Sequence, residues 1–134
     1  MKLFNFVDEA YYINLDSRVD KKEIIEQHFK ELGILEFVKR RSAFSPPDLG
    51  YSILENGKYD PVSYGRCCLY THVQLIKEAK EKGLSNILLF EDDAKFYMEG
   101  EYHPLEVIQD SINQLQNFSN WELFYLGTDP GGVS

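Results

Sequence analysis

Apolar residues along this chain follow two periods, and the period changes where a turn signal stands. Residues 9–15 hold Tyr11, Tyr12, Ile13 and Leu15, the aromatic and β-branched bulk that suits a pleated, half-buried surface. The polar run from Asn14 to Arg18 turns the chain. Asp20 with Glu23 three residues on resembles a capping box, and Ile24, Ile25, Phe29 and Leu32 follow at helical spacing up to Gly33. Residues 36–43 again read as a strand. The opening unit is therefore strand–helix–strand, the element of a parallel sheet.

No period survives in residues 45–60, where Pro46, Pro47, Asp48, Gly50, Asn56, Gly57 and the following Pro61 break the pattern. This is a long surface loop, with room for a short hairpin at Asn56-Gly57. A helix is expected over 65–82, burying Leu69, Val73, Ile76 and Ala79 and ending at Gly83. A strand at 86–90 follows, then an irregular strand at 95–103. Pro104 opens a helix whose Leu105, Ile108, Ile112 and Leu115 share a face. A last strand is expected at 122–126, before a Gly/Pro tail at 128–134. The order predicts a single α/β domain with a mostly parallel, Rossmann-like sheet and helices on both faces.

In this fold the first strand and the 86–90 strand should end at one edge of the sheet. That edge carries the most informative residues: Ile87-Leu88-Leu89-Phe90 runs straight into Glu91-Asp92-Asp93. Three adjacent like charges call for a compensating cation, backbone N–H groups or solvent. Ligands of open α/β sheets bind just beyond the carboxyl ends of strands. A hard ion, Mg²⁺ or Mn²⁺, held by Glu91 and Asp93 is the sharp reading, and a solvated acidic turn the plain one. Asn14, Asp16 and Arg18 should approach the same place, Arg18 as a phosphate fork or a solvated turn residue, and Asp16 as a ligand or a cap. His72 falls beside the apolar face of its helix and reads foremost as a packing residue.

The chain has 134 residues, and 14 Lys+Arg against 22 Asp+Glu leave a net charge of −8. That balance argues against nucleic-acid backbone binding. The one basic cluster, Lys39-Arg40-Arg41, lies in a strand and should divide between its faces. The N-terminus does not read as a signal peptide, and no apolar run approaches a membrane span. Cys67 and Cys68 are adjacent, which suits neither a disulfide between them nor a zinc pattern. Both read as small buried hydrophobes, and the expected setting is the cytoplasm.

Several segments together resemble glycosyltransferase family 25, the lipooligosaccharide and procollagen galactosyltransferases. Ile13-Asn14-Leu15-Asp16-Ser17-Arg18-Val19-Asp20 resembles the family's opening I-N-L-D-x-R-x-D strand and turn. Arg41-Ser42-Ala43-Phe44 is similar to the end of its second strand. Cys68-Leu69-Tyr70-Thr71-His72 resembles C-x-x-S-H with Thr for Ser, and Ile87 to Ala94 resembles I-L-I-L-E-D-D-A. Trp121-Glu122-Leu123-Phe124-Tyr125-Leu126-Gly127 is similar to W-D-x-x-Y-L-G.

The resemblance implies a type A glycosyltransferase fold and inverting transfer of a hexose, galactose above all, from a UDP-sugar. The acceptor would be a glycan or a glycolipid such as lipooligosaccharide, which leaves room for peripheral membrane contact. It assigns the donor nucleotide to Asn14, Asp16, Arg18, Ala43 and Asp92, and Mn²⁺ or Mg²⁺ to Glu91 and Asp93. No general base stands out: Glu122 and Asp129 are the carboxylates near the end of the chain, and neither convinces. Family enzymes continue past the L-G motif into an acceptor-binding half, so an incomplete domain is expected. The competing reading is a nucleotide-sugar-binding or interaction module without transfer. A signalling receiver domain fits poorly, because its acidic pair lies on the first strand.

Overall fold

The computed structural model describes residues 3–96 and 103–127. The elements are α1 (Leu3–Phe6), β1 (Glu9–Asn14), α2 (Val19–Glu31), β2 (Val38–Ser42), α3 (Pro61–Glu81), β3 (Ile87–Glu91) and α4 (Pro104–Leu115). The three strands form one sheet in the order β2-β1-β3. Both pairings are parallel, Asn14 facing Ser42 on one side and Ile13 facing Glu91 on the other. The expected α/β class and parallel sheet are therefore present.

Pleat parity divides the sheet. Ala10, Tyr12, Leu88 and Phe90 join Ile25 and Phe29 of α2 and Ile112 of α4 in one core. Phe29 is its hub, with ring centroids 5.7 Å from Tyr12, 5.2 Å from Phe90 and 6.0 Å from Phe96. The opposite parity, Ile13 with its register partner Arg41, faces α3. Arg41 there forks onto both oxygens of Glu78, at 2.7 and 2.5 Å. Arg40 turns to the other face, so the basic cluster divides as its strand setting requires.

Several expectations need correction. The expected capping box at Asp20 is not formed: Arg18 holds the N-cap position of α2 without a side-chain cap bond, and Asp20 pairs with Arg18 instead. Ile24, expected on the buried face, is exposed. α3 begins at Pro61, four residues before the expected 65, because Asp60 caps it by accepting from the Val62 N–H. Its buried residues are Ser63, Cys67, Thr71 and Leu75, whereas Leu69 is 65% and Ile76 52% exposed. The buried face was missed because three of its four residues are small and two of them, Ser63 and Thr71, are polar. Thr71 Oγ1 donates to the Cys67 carbonyl at 2.8 Å and accepts from the Phe44 N–H at 3.1 Å, so this polar face is satisfied.

The long loop is less irregular than expected. A 3₁₀ turn over Pro46–Leu49 carries a capping box between Ser45 and Asp48 and ends at Gly50, whose φ of 83° suits glycine. At Asn56-Gly57 a tight turn closed by the Leu54 N–H to the Lys58 carbonyl replaces the hairpin. The strand expected at 122–126 is not formed. Trp121 stacks on Phe6 of α1 at 6.1 Å, Leu123 and Tyr125 are exposed, and without a ladder partner the segment has no strand to join. The irregular strand at 95–103 falls largely, and the 128–134 tail with Asp129 wholly, outside the described residues. No helix among the described residues is long and apolar enough to cross a membrane.

Candidate functional site

The order in which strands are added to the sheet reverses between β1 and β3, although all three run parallel. β1 leads to β2 on one side, and the chain then crosses to β3 on the other. In open parallel sheets the carboxyl ends flanking such a reversal form the crevice where ligands bind. Here those ends are Asn14 and Glu91-Asp92-Asp93.

Asn14 is 2% exposed and joins three elements. Its Nδ2 donates to Asp92 Oδ2 at 2.8 Å and to the Arg18 carbonyl at 3.1 Å, while its Oδ1 accepts from Arg40 Nε at 3.0 Å. A buried amide with this many partners fixes the turn after β1 against the turn after β3. Asp92 also lies 3.9 Å from Lys21 Nζ of α2. Asp16 accepts from Arg40 Nη2 at 2.6 Å and from Ser42 Oγ at 2.8 Å. Those two bonds, Arg40 first, hold its carboxyl below the ordinary range. Arg18 does not reach the acidic turn with its guanidinium, which forks onto Asp20 at 3.0 and 2.9 Å and draws that carboxyl down to about 2. Ala43 is half-buried, and its N–H donates to the Asn14 carbonyl at 3.0 Å.

The acidic triplet is divided by the end of β3. Glu91 is the last strand residue, and Asp92 and Asp93 lie in a turn closed by the Ala94 N–H to the Glu91 carbonyl at 3.0 Å. Glu91 keeps the parity of Ile13 and so faces α3. There its Oε1 accepts from Cys68 Sγ at 3.1 Å and lies 3.3 Å from His72 Nε2. The His72 bond, followed by that of Cys68, outweighs partial burial and lowers the Glu91 carboxyl to about 2. Burial and the neighbouring Glu91 carboxylate push the Cys68 thiol up to about 12. Asp93 is exposed and makes no hydrogen bond or ion pair among the described residues.

The structure thus ties Ala43 and Asp92 to Asn14, links Asn14 to Asp16 through Arg40, and sends Glu91 to a separate pair, Cys68 and His72. Sequence reasoning missed Arg40, Lys21 and Cys68, and it read His72 as packing. Cys68 is not the buried hydrophobe expected; Cys67 is. The spacing of four between Cys68 and His72 was a legible signal, because it puts both on one helix face. A shallow groove elsewhere on α3, lined by Leu49, Tyr51, Arg66, Leu69, Tyr70 and Val73, contains none of these residues.

No family model matches the chain, and no solved structure matches it. Among curated proteins it is 28% identical over 132 residues to procollagen galactosyltransferase 1-A of Xenopus laevis. The match covers 90% of this chain and 21% of that protein, so the chain spans about a fifth of that relative's length. The chain is therefore a distant, partial relative of a galactosyltransferase.

Proposed function

We propose that the crevice between the ends of β1 and β3 binds the nucleotide diphosphate of a UDP-sugar, and that the domain serves hexose transfer, galactose first, to a glycan or glycolipid. The domain would be a form of the type A glycosyltransferase fold. The observation that carries this reading is the Asn14–Asp92 bond of 2.8 Å, which assembles the crevice at the reversal of the sheet. The distant similarity to a galactosyltransferase supports the choice of ligand.

The donor set suits a hard cation. Asp93 is an exposed carboxylate without a protein partner among the described residues, and Glu91 binds its neighbours through Oε1 only. The Asp93 carboxylate, joined by the free Oε2 of Glu91 once that side chain turns from α3 toward the crevice, with substrate phosphates and water, would be a set that Mg²⁺ or Mn²⁺ takes. When bound, the ion would neutralise diphosphate charge beside an acidic turn. Asp92, held by Asn14 and Lys21, would shape the pocket, with positive charge from Lys21, 3.9 Å from Asp92, and from Arg40, bonded to Asn14. Asp16, Arg18 and Ala43 form the rim toward the nucleotide.

The test is calorimetric titration of UDP with and without Mn²⁺, on this chain and on Asp93→Ala. The expected result is Mn²⁺-dependent binding that weakens at least tenfold, about 1.4 kcal/mol, in the variant. UDP binding that ignores both the metal and Asp93 would overturn the metal assignment. No binding by folded protein would overturn the donor-site reading. A second reading, binding without transfer, is favoured by one observation: Asp16, Glu91 and Asp92 are each engaged by protein groups, so none is a ready general base. Release of galactose from UDP-galactose to water or to a glycan acceptor separates the two.

A further inference from the structure

Cys68, His72 and Glu91 offer three ligand atoms that all lie within 4.8 Å of one another. One turn of α3 separates the thiol from the imidazole, and the strand-end carboxylate meets both. Tetrahedral zinc with bonds of about 2.0–2.3 Å holds its ligand atoms about 3.3–3.8 Å apart. The observed 3.1 Å from Sγ to Oε1 and 3.3 Å from Nε2 to Oε1 need a small spread, and the thiol-to-imidazole separation, within 4.8 Å, a contraction to the same range, to reach that geometry. All three side chains retain access to solvent.

We propose that Cys68, His72 and Glu91 form a binding site for a transition-metal ion of the Zn²⁺ class, with the fourth position open to water. A thiolate and an imidazole are poor partners for Mg²⁺ or Mn²⁺ and good ones for Zn²⁺. Binding forms the metal–sulfur bond as the Cys68 thiol proton passes to solvent. Two rigid elements supply the ligands, so the ion would also fasten the first half of α3 to the end of β3. The site shares Glu91 with the donor-site reading but rests on Cys68 and His72, and it does not depend on UDP.

The test is titration of the reduced, chelator-treated chain with Co²⁺. One equivalent should give a near-ultraviolet thiolate-to-cobalt band and intense visible bands of tetrahedral cobalt, and added Zn²⁺ should displace them. Cys68→Ser should abolish the thiolate band, and His72→Ala should weaken binding at least tenfold, while Cys67→Ser leaves both unchanged. Asp93→Ala should keep the cobalt bands even where it loses UDP, so the two readings fail separately. No thiolate band in the folded wild-type chain, or a band that survives in Cys68→Ser, would overturn the proposal. X-ray absorption of the zinc-loaded wild-type chain provides a check that needs no variant: one sulfur among nitrogen and oxygen ligands supports the site, and a shell without sulfur refutes it.

Discussion

Glu91 shows how much one side chain's direction matters. In the sequence it is the first of three similar acids, and in the fold it is the one that leaves the other two. Its carboxyl is lowered from an ordinary 4.5 to about 2, so it binds fewer protons folded than unfolded. Its contribution to stability is complete above about pH 4.5 and fades as the pH falls toward 2. In chelator, the stability difference between wild type and Glu91→Gln should therefore shrink across that interval. Urea midpoints measured at several pH values would show it, and a difference independent of pH would contradict the pairing with His72 and Cys68. Asn14 was legible as a residue of the site. That its amide would be buried and tied to Asp92 was not, because its partner lies 78 positions away.

At the scale of elements, β1, β2, β3, α2 and α4 stand close to where the hydrophobic pattern puts them, and α3 is the instructive exception. Its existence was plain from Leu69, Val73 and Ile76, yet those residues face outward. The buried face is instead Ser63, Cys67, Thr71 and Leu75, three of them small side chains that permit close approach. A count of apolar residues favours the stripe with more carbon, whereas packing here favours the stripe with less bulk. Leu75→Ala should cost about 2–5 kcal/mol, and Leu69→Ala about 0.5 kcal/mol or less. Denaturant unfolding of the two variants decides which face is buried; a larger loss for Leu69→Ala would restore the sequence-based face, and equal losses would contradict the burial difference between the two residues. The same rotation of α3 turns Cys68 and His72 toward Glu91. The missing strand at 122–126 has a different cause: its apolar and aromatic composition suits a strand, but a strand also needs a neighbour's backbone groups.

At the scale of the molecule, one aromatic hub ties the parts together. Phe29 of α2 meets Tyr12 of β1, Phe90 of β3 and Phe96 beyond it, so its loss would loosen the sheet on both sides of the crevice. Phe29→Ala should destabilise the domain by about 3–5 kcal/mol, with far-ultraviolet dichroism and tryptophan fluorescence shifting together. Separate transitions would show that the Trp121–Phe6 contact and the rest of the domain do not unfold as one unit. The sequence by itself determined the α/β class, the parallel direction of the strands and the edge where the acids gather, because period and turn chemistry are local properties of the chain. Only the tertiary structure decided which face of α3 meets the sheet, which acid faces which partner, and that Arg40 supports the crevice. Those outcomes depend on strand register and on the packing of side chains distant in sequence, which no local pattern encodes.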